Sequence, residues 1–309
     1  MRAITQKSFG GPEVLELADT PRPTPGPTEV LVRVKATGVN PIDLLVRSGA
    51  FPMLGESGFV LGWDISGVVE EVDAGMTRFK VGDEVYGMPY FPKEAGGYAE
   101  FAVAPSRQLV RKPAGLDHVQ SAALPLAGLT AWQMLVDIAD VQPGQRVLVH
   151  GAGGGVGHLA VQIAKARGAY VIGTASTGKH EFLRGLGADE LIDYRTADFT
   201  EQVQDVDIVL DVVGGVAGPS LRVLRPGGIL VTAVDRHDAT LPGLAEAAGV
   251  RFAGVAVEPD QVGLEALTAL VEAGRLRPYV QETFALEDVA KAHELVGTGR
   301  VQGKVVLTV

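Results

Sequence analysis

Residues 146–157, Arg146-Val147-Leu148-Val149-His150-Gly151-Ala152-Gly153-Gly154-Gly155-Val156-Gly157, constrain the fold of this chain more than any other stretch. Valine and leucine lead into a glycine turn, and an apolar helical pattern follows it. The first N–H groups of a helix find no acceptor within the helix, and glycines let an anion come close to them. Each helix-end contact contributes only about 0.3–1 kcal/mol, so a phosphate is held by several together. The frame is that of a dinucleotide site, G-x-G-x-x-G, with Ala152 in the first place and Gly154 and Gly157 after it. A P-loop is excluded, since no Gly-Lys-Ser or Gly-Lys-Thr follows. The competing reading is a glycine turn that serves packing alone.

The surrounding pattern fits a dinucleotide fold. Strands are predicted at 146–150, 170–174, 190–193, 207–211 and 228–232. A helix over 156–167 puts Val156, Leu159, Ala160, Ile163 and Ala164 on one face. Strands alternating with helices make a doubly wound parallel sheet. The first third is different. Val30, Val32, Val34 and Ala36 alternate with Leu31, Arg33 and Lys35, as in a half-buried strand. Residues 21–27 carry four prolines and read as a surface loop. Further strands are predicted at 67–72 and 81–86, with a turn at Gly82-Asp83. Asp117 can cap a helix running to about residue 138. After a strand at 251–257 come helices near 262–273 and 287–296 and a closing strand at 304–309. These last pieces have no sheet of their own, so they are expected to return to the first domain. The expected fold class is α/β, with domains at 1–116, 117–261 and 262–309, the last packing on the first.

Composition removes whole classes of function. The formal net charge of −10 repels nucleic acid and anionic lipid. No apolar run reaches the roughly 18 residues that span a bilayer, and the N-terminus lacks the apolar core of a signal peptide. The expected location is cytoplasmic. With no cysteine, disulfides, iron–sulfur clusters, thiolate nucleophiles and cysteine-containing zinc sites are all excluded. A hydrolase elbow also fails, because Thr174-Ala175-Ser176-Thr177-Gly178 lacks the first glycine of G-x-S-x-G.

Gly144-Gln145, Leu148, Ala152-Gly153-Gly154-Gly155, Gly157, Gln162 and Lys165 together resemble the quinone oxidoreductase/ζ-crystallin signature of the medium-chain dehydrogenase/reductase superfamily. The likeness covers nearly the whole chain. It continues through Gly38-Val39-Asn40-Pro41-Ile42-Asp43, Leu61-Gly62-Trp63-Asp64-Ile65-Ser66-Gly67 and Val81-Gly82-Asp83-Glu84-Val85. Ala127-Gly128-Leu129-Thr130-Ala131-Trp132, Leu186-Gly187-Ala188-Asp189, Asp211-Val212-Val213-Gly214-Gly215 and Gly303-Lys304-Val305 extend it in order. The resemblance implies a GroES-like catalytic domain interrupted by a Rossmann domain, with the active site in the cleft between them. It also implies a homodimer, for which residues 251–257 could supply the pairing strand or be an ordinary edge.

NAD-preferring sites place an acidic residue near the end of the second strand, on the ribose 2′-hydroxyl. Here that strand runs into Thr174-Ala175-Ser176-Thr177-Gly178-Lys179. Ser176 can donate to a 2′-phosphate and Lys179 supplies positive charge, so NADPH is the expected cofactor. A plain solvated lysine is the alternative, and Arg195 could share the role. By resemblance, Tyr194 packs near the adenosine phosphate. Thr130, Ala152, Gly153, Gly154, Gly155, Val156, Val213, Gly214, Ala233 and Lys304 are likewise expected at the cofactor.

Zinc-dependent relatives hold their metal at places where this chain carries Asn40, Trp63 and Ala127, none of them a competent zinc ligand. The six histidines show no close ligand pair, so no metal is expected. Without a Lewis acid, reduction of a quinone or a carbonyl-conjugated double bond remains feasible. Its developing oxyanion needs donors and a proton. Asn40 is the donor candidate and Asp43 its support, although Asn40 could simply shape the turn before Pro41. Leu45 and Trp63 are expected to line the substrate pocket. Leu44-Leu45 stand where many members of the family carry a tyrosine, which leaves the proton source open. Two rival functions are a non-catalytic NADPH-binding redox sensor and an enoyl-thioester reductase.

Overall fold

The alternating valines at 30–34 become the spine of one of two compact units in the computed structural model, which describes residues 1–55 and 58–309. The first unit comprises residues 1–129, 258–272 and 278–309; the second comprises 130–257 and 273–277. In the first unit, β1 (Arg2–Gln6) and β2 (Leu15–Asp19) form an antiparallel pair. The remaining early strands are β3 (Glu29–Val39), β4 (Ile65–Val72), β5 (Glu84–Gly87), β6 (Phe101–Pro105) and β7 (Leu109–Arg111). β3 is long enough to pair with both β4 and β6. Val30, Val32 and Val34 pack on Ile65, Val69, Val85, Ala102 and Leu109. Each fully buried side chain of this size contributes about 1.5–3 kcal/mol.

The second unit holds β8 (Arg146–Val149), β9 (Tyr170–Thr174), β10 (Glu190–Ile192), β11 (Val206–Asp211), β12 (Leu224–Thr232) and β13 (Arg251–Gly254). All pairings are parallel, in the order β10-β9-β8-β11-β12-β13. Counted from β8, that is the 3-2-1-4-5-6 order of a Rossmann sheet, whose direction of winding reverses between β8 and β11. The core strands are apolar on both faces, as parallel strands between helices must be; all six residues of β11 are buried.

The chain closes with β14 (Val280–Ala285) and β15 (Lys304–Thr308). β15 joins the sheet of the first unit, antiparallel to β3, with Val305 opposite Val39 and Thr308 opposite Ala36. This register places Lys304 beside the end of β3, next to Asn40.

Two expectations need correction. The helix predicted from Asp117 to about residue 138 is broken into His118–Ala122 and Pro125–Trp132, then widens over Gln133–Ile138. Pro125 has no N–H to continue a helix, and it disfavours helical backbone at Leu124. The widening is visible where Ala139 N–H donates to Met134 O, one residue beyond α-helical spacing. The units also meet at 129/130 rather than 116/117. The short helix His118–Ala122 stays with the first unit, its Ala122 packed on Ala36 and Val306.

Candidate active site

In the first unit, the end of β3 delivers Asn40 to the N-terminus of a helix spanning Pro41–Ser48. Pro41 at the first helical position suits the start, since its missing N–H would be unpaired there anyway. Asp43 reaches back, and its Oδ2 accepts from Asn40 N–H at 2.7 Å. The Asn40 side chain also reaches two distant segments. Its Nδ2 donates to Asp64 Oδ2 at 2.8 Å, and its Oδ1 accepts from Lys304 Nζ at 2.5 Å. Lys304 Nζ also donates to Val39 O at 3.2 Å and to Asp64 Oδ2 at 3.4 Å. Asp64 Oδ1 accepts from Leu126 N–H at 2.6 Å. Asn40, Asp43, Asp64 and Lys304 are all buried.

A second chain of bonds runs through Asp43. Tyr98 O–H donates to Asp43 Oδ2 at 2.9 Å, so the phenol oxygen must accept from His293 Nε2–H at 3.3 Å. That tautomer leaves His293 Nδ1 to accept from Arg47 Nη1 at 3.2 Å. The direction requires a neutral imidazole, and burial pushes its pKa down to about 3. Burial pushes the Asp43 carboxyl the other way, up to about 7, against its bonds from Asn40 and Tyr98. Asp43 Oδ1 is buried and meets no partner among the described residues, a natural seat for the proton.

This has a measurable consequence. A carboxyl whose folded pKa is raised contributes stability that is complete below its unfolded value, near 3.9, and is lost as pH rises through about 7. Between pH 5 and pH 8.5 the native chain should lose on the order of 2 kcal/mol relative to Asp43→Asn, read by urea unfolding. Histidine titrations are common to both chains and cancel in the difference. An unchanged difference, or one of opposite sign, would show that Asp43 is an ordinary ionised carboxylate.

In the second unit, β8 ends at the reversal point of the sheet and enters the glycine turn. Gly151 adopts φ +64°, which only glycine takes without strain. A Cβ on Gly157 would lie 2.2 Å from Gly151 O and 2.7 Å from Ala152 Cα, so the helix Gly157–Ala166 starts hard against the turn. Among the described residues, the N–H groups of Gly153, Gly155 and Val156 donate to no backbone acceptor. His150 lies beneath, buried, with its ring edge-on to Phe199. Ser220 O–H donates to Val216 O, so Ser220 Oγ accepts from His150 Nε2–H at 3.0 Å and His150 Nδ1 accepts from Thr174 O–H at 3.1 Å. Burial lowers this pKa to about 4, which marks a neutral packing histidine.

Beside the turn, Asp211 ends β11 and ties two loops together. Its Oδ1 accepts from Val213 N–H at 3.0 Å and Gly214 N–H at 2.9 Å, and its Oδ2 accepts from Thr232 O–H at 3.0 Å. Val213 is 52% exposed and lies over Gly151, while Ala233 begins the next loop with its N–H on Asp211 O. After β9, the Lys179 stem crosses Gly153, where an added Cβ would meet Lys179 Cδ at 2.6 Å. Burial, then the charge of Arg195, lowers the Lys179 pKa, so two cations share this corner. Ser176 is half-buried at the start of the turn, and Tyr194 is 61% exposed under the Arg195 guanidinium. Asp193 accepts from Thr177 N–H at 2.8 Å and Thr177 O–H at 2.5 Å. These bonds hold its pKa down to about 2 and fix the turn.

Most expected site residues therefore fall into two groups, one in each unit. Asn40, Asp43 and Lys304 meet in the first. Ala152, Gly153, Gly154, Gly155, Val156, Ser176, Lys179, Tyr194, Val213, Gly214 and Ala233 line the carboxyl ends of β8, β9, β11 and β12 or the start of β10's loop in the second. Thr130 is buried on the helix Pro125–Trp132. Leu45 is 46% exposed on the helix after Asn40, whereas Trp63 is buried, its Nε1–H on Lys93 O at 2.7 Å and its ring edge-on to Phe91. Asp64, Tyr98, His293 and Asp211 were not singled out by sequence. Only Asp64 and Asp211 carried a signal, their place inside the quoted motifs.

A Rossmann sheet carried in one chain with a β-rich unit of this topology defines a medium-chain dehydrogenase/reductase. The model of the alcohol dehydrogenase GroES-like domain matches residues 26–114, and that of the zinc-binding dehydrogenases matches residues 186–307. Human quinone oxidoreductase is 35% identical over 325 residues, covering 99% of this chain and 97% of its own. The solved quinone oxidoreductase of Coxiella burnetii is 38% identical with a TM-score of 0.95, covering 100% of this chain and 99% of its own. That of Escherichia coli, solved in complex with NADPH, is 27% identical with a TM-score of 0.88, covering 100% of both chains. The chain belongs to the quinone oxidoreductase family. It is an enzyme, an oxidoreductase of the medium-chain type that works with a nicotinamide cofactor. Among the described residues no helix is long and apolar enough to cross a membrane.

Proposed function

We propose that this enzyme uses NADPH to reduce a quinone or a carbonyl-conjugated double bond without zinc. The observation that carries the reading is the glycine turn at the reversal point of the sheet, with Lys179 lying across Gly153. When bound, NADPH would supply a hydride from its nicotinamide ring and present a 2′-phosphate to the basic corner. The turn at 151–157 would hold the diphosphate through its N–H groups, and Ser176, Lys179 and Arg195 would take the 2′-phosphate. Asn40 would donate from Nδ2 to the oxygen that gains negative charge.

The metal-free mechanism rests on donor chemistry. At the three metal-ligand places, Asn40 is bonded to Asp64 and Lys304, Trp63 offers only an indole N–H that Lys93 O already accepts, and Ala127 has no ligand atom. Among the described residues no three His, Cys, Asp or Glu side chains cluster to hold a metal ion. We further propose a homodimer in the cytoplasm. Among the described residues β13 pairs with β12 alone, which leaves an open edge of the sheet through which two copies could join.

The test follows NADPH and NADH oxidation against quinones, enones, enoyl-CoAs and aldehydes after exhaustive chelation. Expected is turnover of quinones or enones, faster with NADPH and insensitive to EDTA. Loss of activity on chelation with recovery on added zinc would overturn the mechanism, and a strict preference for enoyl-CoA would move the substrate class to enoyl thioesters. A second prediction isolates the 2′-phosphate. Lys179→Ala should weaken NADPH binding about tenfold or more, ~1.4 kcal/mol, and leave NADH nearly unchanged. Equal losses for both would reject this role for the lysine.

A further inference from the structure

We infer that Lys304 and Asp64 are positioning residues that lock the Asn40 amide in one orientation and leave its second Nδ2 hydrogen for the acceptor oxygen. The inference rests on the proposed donor role of Asn40 and deepens it.

An asparagine amide can usually be turned over at little cost, exchanging its donor and acceptor ends. Here it cannot. A lysine ammonium has three donors and no acceptor, so the group 2.5 Å from Lys304 Nζ must be Asn40 Oδ1. Asp64 Oδ2 already accepts from the Lys304 ammonium, and with Asn40 Oδ1 on that same ammonium the group 2.8 Å from Asp64 Oδ2 is Asn40 Nδ2. Reversal would set a donor against an ammonium and an acceptor against a carboxylate, both in a buried site. Asp64 is itself held, with Oδ1 on Leu126 N–H and its carbonyl accepting from Thr37 O–H at 2.6 Å.

The hydrogen-bond count completes the case. The three protons of Lys304 have three protein acceptors, Val39 O, Asn40 Oδ1 and Asp64 Oδ2. None is left for the cofactor, at which this lysine was expected. The Asn40 amide nitrogen has two hydrogens and one protein acceptor among the described residues. Among the described residues no protein acceptor takes the remaining hydrogen.

The experiment compares Asn40→Ala, Lys304→Met, Asp64→Asn and the double variant Asn40→Ala/Lys304→Met. Turnover of 1,4-benzoquinone is measured at saturating NADPH, and NADPH affinity by fluorescence titration. Lys304→Met should lower kcat about tenfold or more while the NADPH Kd stays within twofold. The double variant should be no slower than Asn40→Ala alone, because the lysine acts only through the amide. Asp64→Asn keeps the shape of the site but has one oxygen where Leu126 N–H and Asn40 Nδ2 each need one. With that oxygen on Leu126 its NH2 faces Asn40 Nδ2, so it tests the same lock if Lys304→Met does not fold. It should lower kcat in the same way. Losses that multiply in the double variant would overturn the positioning role while leaving Asn40 as donor. A tenfold rise in NADPH Kd with kcat unchanged would return Lys304 to the cofactor and overturn it too. Full turnover by Asn40→Ala would instead sink the donor reading on which the inference stands.

Discussion

Gly157→Val should abolish tight binding of both nicotinamide cofactors. Even a Cβ at this position would sit 2.2 Å from Gly151 O and 2.7 Å from Ala152 Cα, both backbone atoms that a rotamer change cannot move. The helix would have to retreat from the turn, carrying with it the N–H groups of Gly155 and Val156. Overpacking of this kind costs about 1–3 kcal/mol, and if it appears as lost binding the dissociation constants rise roughly 10- to 100-fold. Isothermal titration with NADPH and NADH reads the effect, and the two should fall together, unlike the selective loss expected for Lys179→Ala. Gly185→Ala is the control, since an added Cβ there meets nothing within 4 Å. A Gly157→Val chain with native NADPH affinity would show that the turn is not the cofactor cradle.

Sequence and structure agree most closely where the determining interactions are local. The glycine turn, its strand and its helix lie within about twenty consecutive residues, and their dihedral demands are written in the residue types. The break at Pro125 was equally local in its cause, yet the helix read from Asp117 ran straight through the proline, so a local signal was present and was outweighed by the run of alanine and leucine around it. The group around Asn40 is different. Asn40 meets Asp64 across 24 residues and Lys304 across 264, and both contacts depend on strand register. A one-residue slip of β15 against β3 would turn Lys304 to the other face of the sheet. No periodicity encodes that register, so the motif containing Lys304 was visible and its partner was not. Tyr98 and His293 were hidden for the same reason, being joined only through the packing of distant segments. Asp193 shows a subtler limit. The second strand ends without a carboxylate, as read from sequence, yet the neighbouring strand brings one to Thr177, where it anchors the turn.

Asn40→Asp tests the donor role more sharply than deletion does, because it keeps the shape of the side chain and removes only hydrogens. At neutral pH the new carboxylate would face Asp64 Oδ2, two acceptors at a buried spacing now 2.8 Å. One oxygen must then take a proton, or the pair must separate. Lys304 can still donate to the other oxygen, so the fold retains one of the two bonds. A protonated carboxyl, however, carries a single O–H where the amide carried two N–H groups. If that hydrogen goes to Asp64, nothing is left to donate to the acceptor oxygen. Acid therefore cannot restore turnover. Loss of one such donor lowers kcat about 10²- to 10³-fold, ~2.7–4 kcal/mol of transition-state stabilisation. Steady-state assays from pH 5 to pH 8.5 should show that deficit at every pH, with NADPH affinity near native. Near-native turnover at every pH would mean that the amide is a spacer in the turn before Pro41 and not the group that meets the negative charge; recovery at pH 5 alone would mean that the single O–H goes to the acceptor oxygen and that the bond to Asp64 is dispensable.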